Sequence, residues 1–291
     1  MIRKPLFGMA LGGGGVRGFA HIGVLRVLVS EGINIDCIAG TSMGGIVGAL
    51  FASGLSPNRI EEEAKDIEKL GKRARLIDTL ITNLDFIFKG ENIRKYFRGL
   101  LGGSMSFEDV KIPLALTAVD FNEAKEVALQ SGDLIEAINA TMALPGVVEP
   151  VKTGNKLLMD GGSLNNVPAD LVRSMGAEVV MAVDVSPDVT DKVFWEKQRL
   201  PGIAALNWRM NAIMVANITA AKLHRARANV IIRPIIKTKA STLSGFKYTK
   251  EIITAGENAA LEVLPELHRL LKPQFFFKHP HLSLAKPMQL R

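Results

Sequence analysis

Apolar residues along this chain fall into two kinds of run that alternate. Short continuous runs at Leu6–Leu11, Asp36–Ala39, Ile112–Val119, Lys156–Met159, Glu178–Val185 and Asn229–Arg233 are each ended within two residues by Gly, Pro or Asp, and predict buried strands. Between them lie stretches of helical spacing, over residues 19–31 (Ile22, Leu25, Val27, Leu28), 92–101, 134–143, 167–175, 203–224 and 249–271. Ser56-Pro57 opens a further helix, with Pro at the first helical position and Glu61, Glu62 and Glu63 in its early turns. Glu126–Leu129 predicts a hairpin partner for the strand before it, whereas residues 72–103 are mixed and only their end has a clear period. Strand, glycine loop, helix, strand is the opening of a parallel sheet, so the expected class is α/β, a three-layer α/β/α fold with a mostly parallel central sheet. The 203–224 helix, with Leu206, Met210, Ile213, Met214 and Ile218 along one side, reads in two ways. It is a core helix, or, with Trp208 and the surrounding Arg and Lys, a face turned to an anionic bilayer.

Two loops interrupt this pattern with chemistry. Gly40-Thr41-Ser42-Met43-Gly44 fits G-x-S-x-G, in which a serine sits on a tight strand-to-helix turn with its hydroxyl in a cleft. The turn strains the serine backbone, so the residues two positions away on either side must lack a side chain, and both are glycine. A strand ends just before it and an apolar run, Ile46 to Ala52, follows. The second loop, Gly12 to Gly15, can bring bare backbone N–H groups to a developing oxyanion, and the Met43 N–H lies beside the nucleophile. Gly13-x-Gly15-x-x-Gly18 also matches the dinucleotide fingerprint. That rival reading of a nucleotide-binding oxidoreductase wants an acid at the carboxyl end of the second strand. Asp36 lies at that strand's beginning, and the carboxyl end is occupied by the serine turn.

Composition narrows the compartment and the partners. The chain has 291 residues, 47% hydrophobic and 22% charged, enough for a substantial core. Its single cysteine, Cys37, allows neither an intramolecular disulfide nor a cysteine-rich metal site. Met1 to Pro5 resembles a basic leader, but the apolar run after it turns to glycine loop without a cleavage site, and no spanning segment of about 18 apolar residues follows. The expected location is cytoplasmic, with peripheral contact at the inner membrane face as an option. Net charge is +7, and the window Lys197–Lys250 holds eleven Lys or Arg and no acid, so the remainder sums to 7 − 11 = −4. Such a block suits phospholipid headgroups or a nucleic-acid backbone, or is a solvated basic face without a partner.

The base for Ser42 has several candidates. A triad in the order Ser, acid, His leaves His224 or His268, both inside predicted helices, and His21 fits a structural place one turn into the first helix. Asp160, at the carboxyl end of a strand and followed by Gly161-Gly162, lies where ligands collect in α/β sheets, or is simply a turn. As a base it needs a cleft that desolvates it and raises its pKa.

A glycine loop with a basic residue, then Gly-x-Ser-x-Gly, then a distant Asp-Gly-Gly is a set that resembles the patatin-like phospholipases. Three further stretches look like that family: Gly18 to Leu25, Ala140 to Val147, and Asp160 to Pro168. The resemblance runs from about residue 6 to 185 with no departure at the motif positions. It implies a patatin-like fold, a Ser42–Asp160 dyad without histidine, an oxyanion hole from Gly13, Gly14 and Gly15, and hydrolysis of lipid acyl esters without metal or cofactor. Gly12, Gly18, Gly40, Gly44, Gly161 and Gly162 support these motifs, and Arg17 takes the basic position, either orienting the loop or meeting a phosphate. A catalytically silent scaffold of the same fold is the other alternative. The expected organisation is a catalytic core over 1–190, a basic part of the same domain over 191–272 and an irregular tail over 273–291. No nucleic-acid partner is expected, and the basic window is the expected contact with an anionic membrane.

Overall fold

The computed structural model describes residues 2–66, 90–196, 202–238 and 245–275. After β1 (Ile2–Arg3), one eight-stranded sheet is built from β2 (Phe7–Leu11), β3 (Cys37–Gly40), β4 (Leu114–Asp120), β5 (Lys125–Leu129), β6 (Val151–Thr153), β7 (Lys156–Asp160), β8 (Val179–Val183) and β9 (Val230–Ile232). Its order is β6-β7-β4-β3-β2-β8-β9, with β5 also on β4; β4, β3, β2, β8 and β9 run parallel, while β5 and β7 are antiparallel to β4.

Alternation along the strands sorts side chains by size. Phe7, Met9, Leu11, Ile38, Leu116, Met181 and Val183 join one core with the helices α1 (Ala20–Ser30) and α2 (Ser42–Ala52), the helix Leu134–Thr141 and the helix Thr249–Leu270. Ala10, Cys37, Ala39, Ala115, Val180 and Ala182 join a second core with the helices Ala169–Ser174 and Gly202–Ala226. The small residues let that second layer come close: a Cβ on Gly8 would lie 2.3 Å from Val172 Cγ1. The result is the three-layer α/β/α arrangement, with the sheet buried on both faces.

The register on β4 positions the site. Leu116 is registered with Gly40 of β3 and Leu129 of β5, and Ala118 with Val127 of β5 and Asp160 of β7. A strand has two edges, so β5 takes one while β3 and β7 share the other. β3 ends opposite Leu116; β7 arrives from the opposite direction and ends opposite Ala118. Two residues of strand span about 7 Å, so the carboxyl ends of β3 and β7 face one another across that gap, with Thr117 between them.

Several elements differ from the sequence pattern. α2 begins at Ser42, four residues before the apolar run, because the turn residues themselves make the first helical turn. β6 and the helix Lys192–Glu196 carry no period that announces them. The tail expected to be irregular opens with β10 (Gln274–Phe275), antiparallel to β1. Residues 67–89, which include much of the mixed stretch 72–103, and residues 197–201, 239–244 and 276–291 lie outside the described residues. Among the described residues no helix is long and apolar enough to cross a membrane.

The helix Thr249–Leu270 lies along α1 at two glycines: a Cβ on Gly256 would fall 1.9 Å from the Ala20 carbonyl oxygen, and one on Gly23 2.0 Å from that of Ile253. Gly256→Ala therefore forces the helices apart and is expected to destabilise the fold by about 1–3 kcal/mol, read as a lower urea midpoint. An unchanged midpoint would show that the two helices part freely.

Candidate active site

Ser42 has φ of +52°, a left-handed conformation that a side-chain-bearing residue keeps only when its surroundings enforce it. The enforcement is visible. A Cβ on Gly40 would sit 2.6 Å from Gly45 Cα, and one on Gly44 2.2 Å from the Leu11 carbonyl oxygen. The Ser42 N–H donates to Thr141 Oγ1 at 2.9 Å. Next to it, buried Thr41 donates to the Asn165 carbonyl at 2.8 Å and receives a bond from the Thr117 hydroxyl at 2.7 Å. Thr117, in the gap on β4, is thus tied to the end of β3.

Asp160 ends β7 from the other side. Its Oδ1 accepts from the Gly162 N–H at 2.8 Å, and the Ser42 hydroxyl lies near enough to its carboxylate to favour the ionised form. Gly161 must be glycine, since a Cβ there would lie 2.1 Å from Thr117 Oγ1. Burial pushes the Asp160 carboxyl up to about 6, outweighing the nearby Ser42 hydroxyl and the Gly162 N–H, which favour its ionised form.

The glycine loop passes beside the serine: a Cβ on Gly13 would be 3.2 Å from Ser42 Cβ. The Gly12 and Gly13 amides already donate, to Val183 O at 2.9 Å and Asn166 O at 3.0 Å, so Gly13, expected as an oxyanion donor, is engaged in the fold. The amides of Gly14, Gly15 and Met43 donate to nothing among the described residues. Asn166 Nδ2 donates to the Gly13 carbonyl at 3.2 Å and to Ser186 Oγ at 3.0 Å. Because the peptide is planar and trans, a Gly13 carbonyl turned to Asn166 puts the Gly14 N–H on the opposite side.

Arg17 and His21 hold the loop from behind. Arg17 is buried, donates through Nε to Val185 O at 2.7 Å and lies over the Phe194 ring at 5.8 Å. Burial lowers its pKa to about 10, against the nearby Asp184 and Asp191. His21 donates from Nε2 to the Gly12 carbonyl at 2.7 Å, and burial drops its pKa to about 4, so it is neutral and structural. A Cβ on Gly18 would lie 2.5 Å from Met43 Cγ, which packs the loop onto α2. No described histidine bonds Ser42 or Asp160: His224 is exposed, and His268 lies 3.8 Å from Glu31. His279 and His281 lie outside the described residues. Among the described residues no cluster of three or more His, Cys, Asp or Glu could hold a metal ion.

The scaffold residues Thr41, Thr117, Thr141, Asn165 and Asn166 have no role in the sequence reading. Thr117 carried one signal, as the lone polar residue within an otherwise apolar strand. Asn165 also reaches outward: its Nδ2 donates to Glu126 Oε1 at 2.6 Å and Asp170 Oδ1 at 2.8 Å, and Lys222 of the helix Gly202–Ala226 pairs with both acids.

Comparison with known proteins gives a consistent picture. The family model "Patatin-like phospholipase" matches residues 9–173. The chain is 38% identical over 188 residues to patatin-like phospholipase domain-containing protein 7 of Rattus norvegicus, covering 63% of this chain and 14% of that protein. It is 37% identical over 185 residues to an uncharacterized NTE family protein of Mycobacterium tuberculosis, covering 63% of this chain and 50% of the other. The chain therefore spans half or less of the length of these relatives. Among solved structures, VipD from Legionella pneumophila shares the fold with a TM-score of 0.57 at 14% identity, over 90% of this chain and 67% of that one.

The raised Asp160 pKa has a stability consequence. The folded protein binds this proton more tightly than the unfolded chain, whose aspartate titrates near 3.9, so the contribution is full below about pH 4 and is lost as pH rises through about 6. At neutral pH the burden is about 3 kcal/mol at most. Asp160→Asn is expected to be more stable than the wild type at pH 8, with the gap closing towards pH 4.5, in urea titrations at both values. An equal or lower midpoint for the variant at pH 8 would contradict the buried-carboxylate account.

Proposed function

From the premise that this chain belongs to the patatin-like phospholipase family, we propose that it hydrolyses carboxylic esters of lipids, phospholipid or lysophospholipid among them, through Ser42 and Asp160. The observation that carries the reading is a strained serine hydroxyl brought beside a buried carboxylate whose pKa is pushed up to about 6, at the facing ends of β3 and β7. Asp160 takes the Ser42 proton as Oγ attacks the ester carbonyl, and the negative charge that develops on the carbonyl oxygen meets the amides of Gly14, Gly15 and Met43. The leaving alcohol collects the proton from Asp160. Water then attacks the acyl-serine, Asp160 accepts its proton, and that proton passes to Ser42 Oγ as the acid product departs. Asn166 acts in this scheme as a positioning residue, fixing the Gly13–Gly14 peptide.

The nucleotide-binding alternative loses its acid. Asp36 lies at the amino end of β3, where its Oδ2 accepts from the Phe7 N–H at 2.6 Å, and the carboxyl end is filled by the serine turn. The silent-scaffold alternative is answered by turnover.

On a short p-nitrophenyl ester, Ser42→Ala and Asp160→Asn are each expected to lower kcat at least a thousandfold; equal rates in all three proteins would end the dyad reading. The acid limb of wild-type kcat/KM is expected to have its midpoint near pH 6, since activity needs ionised Asp160, and a midpoint near 4 would place the base elsewhere. Asn166→Ala is expected to lower kcat by about a hundredfold with KM little changed, as loss of an oriented amide would. A change in KM alone would remove the positioning role.

A further inference from the structure

The helix Gly202–Ala226 is apolar on two opposite sides. Towards the protein it turns half-buried Trp208 and Ala212 and buried Thr219, Leu223 and Ala226, with the Trp208 ring 5.2 Å from that of Trp195. Away from the protein it turns Ile203, Leu206, Met210 and Met214, which are 79%, 72%, 57% and 51% exposed. Their three- and four-residue spacing makes one continuous stripe. Exposed Asn207, Asn211 and Asn217 border it, and Arg209, whose guanidinium lies 5.9 Å from the Trp195 ring, is the one charged residue from 202 to 221. A helix apolar on all sides is ordinarily buried all round or in contact with lipid, and this one is covered on one side only.

We propose that this stripe docks the protein on the surface of an anionic lipid bilayer, with the four side chains entering the headgroup and acyl boundary. The inference rests on the lipid-ester reading and gives that site its approach to substrate. The same helix packs against Gly161–Ser163, directly after Asp160, and Lys222 pairs it to the acids that hold Asn165, so the helix that carries the stripe also touches the scaffold of the site. Charge complementarity agrees: the stripe falls inside the window of eleven cations and no acid, which attracts anionic headgroups. A second copy of this chain fits less well, because it would bring a like-charged window. The four side chains also offer roughly 500 Å² against the ~800 Å² per partner of a standard stable interface.

The test is co-sedimentation of the full chain with phosphatidylcholine vesicles, with and without phosphatidylglycerol, for wild type and for the double variant Leu206→Glu with Met210→Glu. Turnover of soluble p-nitrophenyl butyrate is measured on both. The wild type is expected to bind the mixed vesicles, more weakly at high salt or without phosphatidylglycerol. The double variant is expected to lose at least tenfold in vesicle affinity while its turnover of the soluble ester is unchanged. Equal binding by both proteins, no binding by the wild type, or a wild-type dimer in lipid-free sedimentation that the double variant converts to monomer would each overturn the proposal. If neither protein turns over ester but vesicle affinity still falls in the variant, the docking surface stands and the catalytic reading fails.

Discussion

The structure depends on one edge of β4. Two strands of opposite direction, β3 and β7, share that edge and stop two residues apart, so their carboxyl ends point at each other. Nothing in either strand alone would bring Ser42 to Asp160. The gap is short, and Thr117 fills it by bonding Thr41 and lying against Gly161. At Gly161 a Cβ would fall on that hydroxyl, and at Gly40 or Gly44 it would fall on backbone that cannot move away. These glycines are consequences of bringing two chain reversals together in a space that admits no side chain.

The same crowding dries the site. Asp160 sits in a pocket closed by its own turn and by the serine, and with water removed its charged form becomes less favourable, as the proposed role of base would require. The polar groups around it are neutral hydroxyls, amides and peptide groups. His21, with its pKa lowered to about 4, adds no charge, and the cationic head of Arg17 is spent on the carbonyls of Val185 and Ser186. A cation bonded to Asp160 would stabilise the carboxylate and weaken it as a base.

What the sequence disclosed and what it hid divide along one physical line. The serine turn, the glycine loop and the Asp-Gly-Gly turn were legible because each is a local backbone requirement written in adjacent glycines. The three-layer order was legible because strands and helices differ in period. The bonds that assemble the site were not, since each joins single polar residues far apart: Thr41 to Thr117 across 76 positions, Ser42 to Thr141 across 99, Asn166 to Gly13 across 153. Periodicity carries no register, so nothing local told that β7 would end beside β3. The engaged amide of Gly13 escaped for the same reason, because its acceptor lies on the Asp-Gly-Gly side of the site. The helix Gly202–Ala226 stayed ambiguous because it is apolar on two faces, and a stripe read from spacing alone does not say which face meets the protein.

In the proposed mechanism, a base with a pKa near 6 sets the order of events at Ser42. Such a carboxylate is far weaker than an alkoxide, so it cannot strip the serine before attack begins; the proton moves as the new C–O bond forms and as charge passes to the carbonyl oxygen. That charge must then be met at once by donors already in place, each worth about 3 kcal/mol when oriented. In that scheme the amides of Gly14, Gly15 and Met43 would serve only if the loop did not have to reorganise. This explains why so much of the structure is spent on the loop itself: His21 on the Gly12 carbonyl, Asn166 on both sides of Gly13, Arg17 on the strand end behind it, and Gly18 against Met43. A weak base and a rigid oxyanion cradle are one requirement, because whatever the carboxylate leaves undone in the transition state falls to the amides.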